Sequence, residues 1–207
     1  MPYLALVSVF VSWGTGFVAT KIAISDGGFT PMAFNALRFA VCGTLLFTYA
    51  LSVGRKIPRI GSEWKKISVA SLLSVIGGNF FLTIALLYIN GGFAPVITSL
   101  ESTIFMTACF FSGEKFRKTV WVGMVIGFLG LLTMFWPPIQ DIIKNPTQDA
   151  KNYILALFFL FMTACCWGIG GYWVRHHEIK SPVFMHTALQ YLIGCIAFIV
   201  LAFFMED

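Results

Sequence analysis

Runs of apolar residues, each about 17–25 long and so able to carry a helix across a bilayer, recur along almost the whole chain. They cover residues 3–25, 31–52, 67–88, 92–112, 120–136, 153–174 and 183–204. Backbone inside hydrocarbon must satisfy its own hydrogen bonds, which leaves helices as the solution for such runs. The expected fold is therefore all-α, a polytopic bundle of seven transmembrane helices. Composition agrees: 58% of the 207 residues are hydrophobic and 11% charged, where a soluble domain keeps roughly a quarter charged. Apart from Lys21, Arg38 and Glu101, every Asp, Glu, Lys and Arg lies between or beyond the runs. A charge at the centre of a span costs about 2.5–3.5 kcal/mol on insertion scales, which accounts for the segregation.

Charge also orients the bundle. One set of connections carries Arg55, Lys56, Arg59, Lys65, Lys66, Lys115, Arg117, Lys118, Arg175 and Lys180, and the other carries Lys144 and Lys151. The positive-inside rule places the first set and the N-terminus in the cytoplasm, with Met205-Glu206-Asp207 outside. The expected location is an inner, plasma-type membrane. The net charge of +5 is explained by these loops, with no basic soluble domain to engage nucleic acid. The first run starts at Tyr3 without a basic n-region and reads as a retained span. Cys42, Cys109, Cys165, Cys166 and Cys195 all lie in apolar runs without CxxC spacing, so they read as packing residues. His176-His177-Glu178 sits in a short basic turn where adjacent histidines point apart, and no metal or other cofactor is expected.

An internal repeat divides the chain. Ser12-Trp13-Gly14-Thr15-Gly16-Phe17 matches Cys166-Trp167-Gly168-Ile169-Gly170-Gly171, and a base follows each tryptophan at the same spacing, Lys21 or Arg175. Thr30-Pro31 opens the second run as Ser181-Pro182 opens the seventh. With one inserted residue, Ala36-Leu37-Arg38-Phe39 aligns with Ala188-Leu189-Gln190-Tyr191. The division expected is a five-helix unit over 1–136, an extracytoplasmic linker over 137–152 marked by Pro137-Pro138 and Asn145-Pro146, and two helices of a second unit over 153–207. Five is odd, so the second unit would enter the membrane upside down, an inverted repeat of the kind that serves alternating access.

The stretch from Trp13 through Asn35-Ala36-Leu37-Arg38-Phe39, and the stretch from Ala85 to Leu132 with Glu101 and Gly113-Glu114, resemble an EamA-like unit of the drug/metabolite transporter superfamily. Ser102 stands where that family usually shows a proline. The resemblance implies two five-helix units around a central substrate cavity, of which this chain carries one unit and the first two helices of the next. It implies a carrier of small organic metabolites or drugs, embedded in lipid, with a homodimer or another partner supplying the missing helices. A truncated, transport-incompetent product is the alternative. An enzyme is not expected, because no nucleophile and base, and no cluster of metal ligands, share a depth within the spans.

The candidate cavity residues follow from chemistry at depth. Trp13-Gly14 and Trp167-Gly168 are the paired, glycine-interrupted positions that point to a transporter's site, with indole faces for stacking. Glu101, roughly 14 Å from the outer end of its span at 1.5 Å per residue, is a candidate proton carrier or a partner of Arg38. Arg38 lies at similar depth and pairs with it or faces anionic groups of a substrate. Lys21 snorkels or lines the cavity. Asn79 adds a buried amide, and His186 and Gln190 sit one turn apart in the last run. Hydroxyls such as Thr83, Thr98, Ser99 and Thr103 are expected to bond back to their own helices. Gly123, Gly127 and Gly130 are expected to admit a close helix neighbour.

Overall fold

The computed structural model describes residues 2–58, 61–144 and 148–206. Arg59, Asn145-Pro146 and Asp207, which enter the charge and linker arguments, lie outside the described residues. Those described form seven helical rods and no strand. These are α1 (Pro2–Ser25); α2 (Pro31–Ser52); α3 (Ser62–Ala70) continuing through a π-helical stretch (Ser71–Gly77) into α4 (Gly78–Tyr88); α5 (Ala94–Thr98) running into α6 (Leu100–Phe111); α7 (Lys118–Lys144); α8 (Gln148–His176); and α9 (Val183–Met205). Five rods are long and apolar enough to cross a membrane: Pro31–Ser52, Ser62–Tyr88, Ala94–Phe111, Ala150–His176 and Val183–Met205. The chain is a multi-pass membrane protein.

The region read as a linker is mostly helix. α7 runs on through Pro137-Pro138 to Lys144, and α8 resumes at Gln148, so the connection is far shorter than residues 137–152. Prolines remove donors and favour turns, but here the backbone continues past them. A second expectation fails on α7. A Cβ at Gly123, Gly127 or Gly130 would meet nothing within 4 Å, so the small-residue face is open and Val122, Val125, Ile126 and Leu129 are exposed beside it.

α2 and α9 pack antiparallel along their lengths. Phe39 stacks on Phe198 with centroids 5.7 Å apart, and Tyr49 meets Phe184 edge-on at 5.3 Å. Met32, Ala36, Phe39, Cys195 and Phe198 form one core with Val75 of the π-helix. At each end of the pair a carboxylate grips the start of a helix. Glu206 accepts the Met32 amide at 2.7 Å, the Ala33 amide at 3.1 Å and the Thr30 hydroxyl. At the opposite end Glu63 accepts the Ser181 amide at 2.6 Å. Negative charge on the first-turn N–H groups of α2 is favourable, because helix N-termini carry partial positive charge, while Glu63 of α3 holds the chain just before α9.

The other half of the molecule is built on α8, which packs against the π-helix, α4 and α6. Its approach is close enough to require glycine. A Cβ at Gly78 would fall inside the Trp167 indole, and one at Gly168 would lie 2.9 Å from the Glu101 carbonyl oxygen and from Ile104. α1 lies across α4 and α5 with Phe17 and Ile24 in the core they share with Ala156 and Leu160 of α8.

Candidate functional site

The rods line a half-open cavity of about 560 Å³, within the range of small-molecule sites, about 300–1,000 Å³. Its walls come from α1 (Ser12, Trp13, Gly16, Phe17, Ala19, Thr20), α2 (Phe34, Arg38, Phe39), the π-helix and α4 (Ser74, Val75, Asn79, Leu82), α8 (Trp167) and α9 (Thr187, Gln190, Tyr191). Five sequence candidates meet here: Trp13, Arg38, Asn79, Trp167 and Gln190.

The π-helix organises the polar side. Its i+5 pairing widens the turn, a feature frequent at functional sites. The Ser74 carbonyl accepts the Trp167 indole N–H at 2.8 Å and, more weakly, the Asn79 amide nitrogen at 3.4 Å. That same nitrogen donates to the Val75 carbonyl at 2.9 Å. With its NH₂ so occupied, Asn79 presents Oδ1 to Arg38, which donates to it at 3.1 Å. Behind Asn79, the fully buried Asn35 donates to Thr83 Oγ1 at 3.1 Å and to the Asn79 carbonyl at 3.4 Å. The guanidinium carbon of Arg38 lies 4.9 Å from the Phe39 ring centroid.

The aromatic side joins the two repeat tryptophans. Trp13 and Trp167 have ring centroids 5.7 Å apart, and Phe17 closes the group at 6.2 Å from Trp13 and 6.4 Å from Trp167. Phe39 and Tyr191, also repeat equivalents, meet at 5.3 Å.

The remaining candidates lie elsewhere. Arg38 makes no ion pair with Glu101 among the described residues. α2 lies against α9 while α6 lies against α8, so matching depth does not bring the two charges together. Glu101 is half-buried in the first turn of α6, outside the cavity wall. Lys21 neither snorkels nor lines the cavity: its ammonium donates to the carbonyls of Leu86 at 2.6 Å and Leu87 at 3.4 Å. These are orphan acceptors at the end of α4, where a cation is favoured. Gly14 faces open space with nothing within 4 Å of a Cβ, and Gly168 serves contact with α6. Neither glycine interrupts its helix; the irregularity falls in the π-helix instead. His186 shares its Nδ1 with the Ser181 carbonyl at 3.3 Å, closing the first turn of α9. Sequence reasoning missed Phe17, Thr187, Ser74 and Tyr191 as wall residues. The repeat alignment held the signal for Tyr191, which follows Gln190 as its equivalent Phe39 follows Arg38.

At the basic end, Gly113 takes φ +92 and turns the chain after α6, a conformation glycine adopts without strain. Glu114 then meets Arg175 in a two-pronged pair at 2.9 Å and 2.9 Å, with His176 Nε2 at 3.4 Å. The hydrogen bonds from Arg175 hold the Glu114 carboxyl below the usual carboxylate range. Cys109, Glu114 and His176 have donor atoms within 4.8 Å of one another, but both Glu114 oxygens are engaged by Arg175. The neighbouring histidines point apart, His176 onto Tyr172 and His177 onto Trp173.

Comparison with known proteins gives a consistent answer. The model of the EamA-like transporter family matches residues 1–136. A WAT1-related chloroplast protein of Arabidopsis thaliana is 27% identical over 94% of this chain and 45% of its own. An uncharacterized transporter of Archaeoglobus fulgidus is 30% identical over 76% of this chain and 55% of its own. The uncharacterized inner membrane transporter YedA of Escherichia coli is 26% identical over 63% of this chain and 42% of its own. The chain thus spans about half the length of these curated relatives. No solved structure matches.

Proposed function

Because the chain belongs to the EamA-like transporter family, we propose that its cavity carries small organic molecules across the membrane by alternating access. Its relatives are named as transporters rather than enzymes. The observation that carries the mechanism is the meeting of repeat equivalents at the cavity: Trp13 touches Trp167 and Phe39 touches Tyr191. Arg38 and Gln190 both line the wall. Equivalent residues meeting at one centre is what two units related by a pseudo-two-fold axis would produce, and such units can exchange inward-facing and outward-facing shapes. On this reading residues 1–136 form the first unit, inserted with its N-terminus cytoplasmic, and α8 and α9 begin its inverted counterpart. Since the matches cover only about half of these relatives' length, the rest of that second unit is supplied by further sequence or by a partner chain, a second copy included.

Glu101 is the proton carrier of this reading. It is an acid within a span, half-buried, without an ion pair among the described residues, and acids so placed are the members of proton relays in pumps and transporters. Uptake into proteoliposomes under an imposed pH gradient tests both parts. Gradient-driven uptake by the wild type that becomes pH-independent in Glu101→Gln is the expected result. Uptake with the same pH profile in both proteins refutes the coupling role, and no uptake by a chain containing both complete units refutes the carrier reading.

A further inference from the structure

Resting on the transporter reading of the cavity, the geometry points to a ligand class: a small organic anion bearing a planar ring, its anionic group on Arg38 and its ring against the Trp13–Trp167 pair. Arg38 stays ionised in any protein environment. Its hydrogen-bond partner among the described residues is the neutral Oδ1 of Asn79, which accepts one of five available N–H groups. Among the described residues no Asp or Glu lines the cavity. A cation withdrawn from water without a counter-ion is costly, so the cavity is complementary to a group that brings negative charge with it. The guanidinium fork suits a carboxylate, which can accept two parallel hydrogen bonds.

The opposite side suits a ring. The Trp167 indole N–H is spent on Ser74, so what Trp167 offers a ligand is its π surface rather than a donor. Trp13 is 48% exposed, so packing has not consumed its face. Offset or edge contacts with such rings reward a planar partner by more than its buried area alone. A cation would be repelled by Arg38, and a neutral ring would leave it uncompensated.

The test uses the full chain in lipid nanodiscs, titrated with 4-nitrobenzoate, 4-nitrobenzamide and 4-nitrobenzylammonium. Binding is read by quenching of tryptophan fluorescence and checked by equilibrium dialysis. The benzoate is expected to bind at least about tenfold more tightly than the amide, as a charge-assisted contact should, with no measurable binding of the ammonium compound. Arg38→Gln should bring benzoate and amide to equal affinity, and Arg38→Lys should keep part of the difference. Equal affinities in the wild type, no benzoate binding, or an undiminished preference in Arg38→Gln overturns the proposal. The wild-type comparison decides the matter even if Arg38→Gln fails to fold. Uptake of the same compounds into proteoliposomes separates this inference from the one beneath it. Anion-selective binding without uptake refutes transport and leaves the ligand class standing; uptake without anion preference does the reverse.

Discussion

Replacing Gly78 by alanine distinguishes a helix governed by propensity from one governed by its neighbour. In a helix interior, alanine is better than glycine by about 0.8–1.0 kcal/mol, so a protein without tertiary constraint at this position should gain stability. Here the new methyl would occupy the Trp167 indole, and the ring must leave. Leaving forfeits the 2.8 Å bond to the Ser74 carbonyl, about 1 kcal/mol. It also loosens the contacts with Trp13 and Phe17, about 0.5–1.5 kcal/mol for each aromatic pair. Subtracting the propensity gain leaves a net loss of about 1–3 kcal/mol. In a Trp167→Ala background the obstruction is gone, and the same substitution should stabilise by about 0.8 kcal/mol. The sign therefore reverses between backgrounds, with a coupling energy of about 2–4 kcal/mol from the same terms. Unfolding of the four proteins of the cycle in mild detergent, followed by circular dichroism, measures it. Equal effects of Gly78→Ala in the two backgrounds would refute the argument that Trp167 dictates this glycine.

Lys21→Met removes a 2.6 Å charge-assisted bond to Leu86 at the end of α4. It should cost about 1.5–3 kcal/mol of stability while leaving ligand affinity per folded molecule unchanged; altered affinity would return Lys21 to the cavity wall. Glu114 titrates lower in the folded protein than in the unfolded chain because Arg175 hydrogen-bonds it. Its contribution is therefore present above the unfolded carboxylate pKa of about 4.3 and is lost as pH falls through the lower folded value. A melting-temperature profile taken downward from about pH 6 should show this acid limb in the wild type and a shallower one in Glu114→Gln, and superimposable profiles would count against the pair.

The helices were legible because most runs of apolar residues are bounded by charge or by a Thr-Pro or Ser-Pro start, and the others by Asn-Gly-Gly or Pro-Pro. α2 begins at Pro31 and α9 follows Pro182, as those dipeptides suggest. Trp13 and Trp167 were legible through repetition, which marks equivalent positions without saying that they touch. Which helices are neighbours was not legible, and this is why depth alone paired Arg38 with Glu101 when α2 lies against α9. Lys21 was misread for the same reason, since its partners are backbone carbonyls 65 and 66 residues away that no side-chain pattern announces. The π-helix left no mark either. Ser71–Gly77 reads as ordinary apolar span, and its widened turn appears only once α8 lies against it and Trp167 claims the Ser74 carbonyl.

The carboxylates at the two ends of the α2–α9 pair have a mechanical consequence. Sliding α9 along its axis by a single turn, about 5.4 Å, would pull Glu206 off the Met32 and Ala33 amides of α2 and, at the other end, Ser181 off Glu63 of α3. Tied to α2 at one end and to α3 at the other, and keyed to α2 by stacked rings between, α9 resists sliding along its axis. On α1, by contrast, a Cβ added at Gly14 or Gly16 would meet no neighbour within 4 Å, so that face of α1 is not locked into another helix. The wall bearing Arg38 is thus held along its axis more firmly than the wall bearing Trp13.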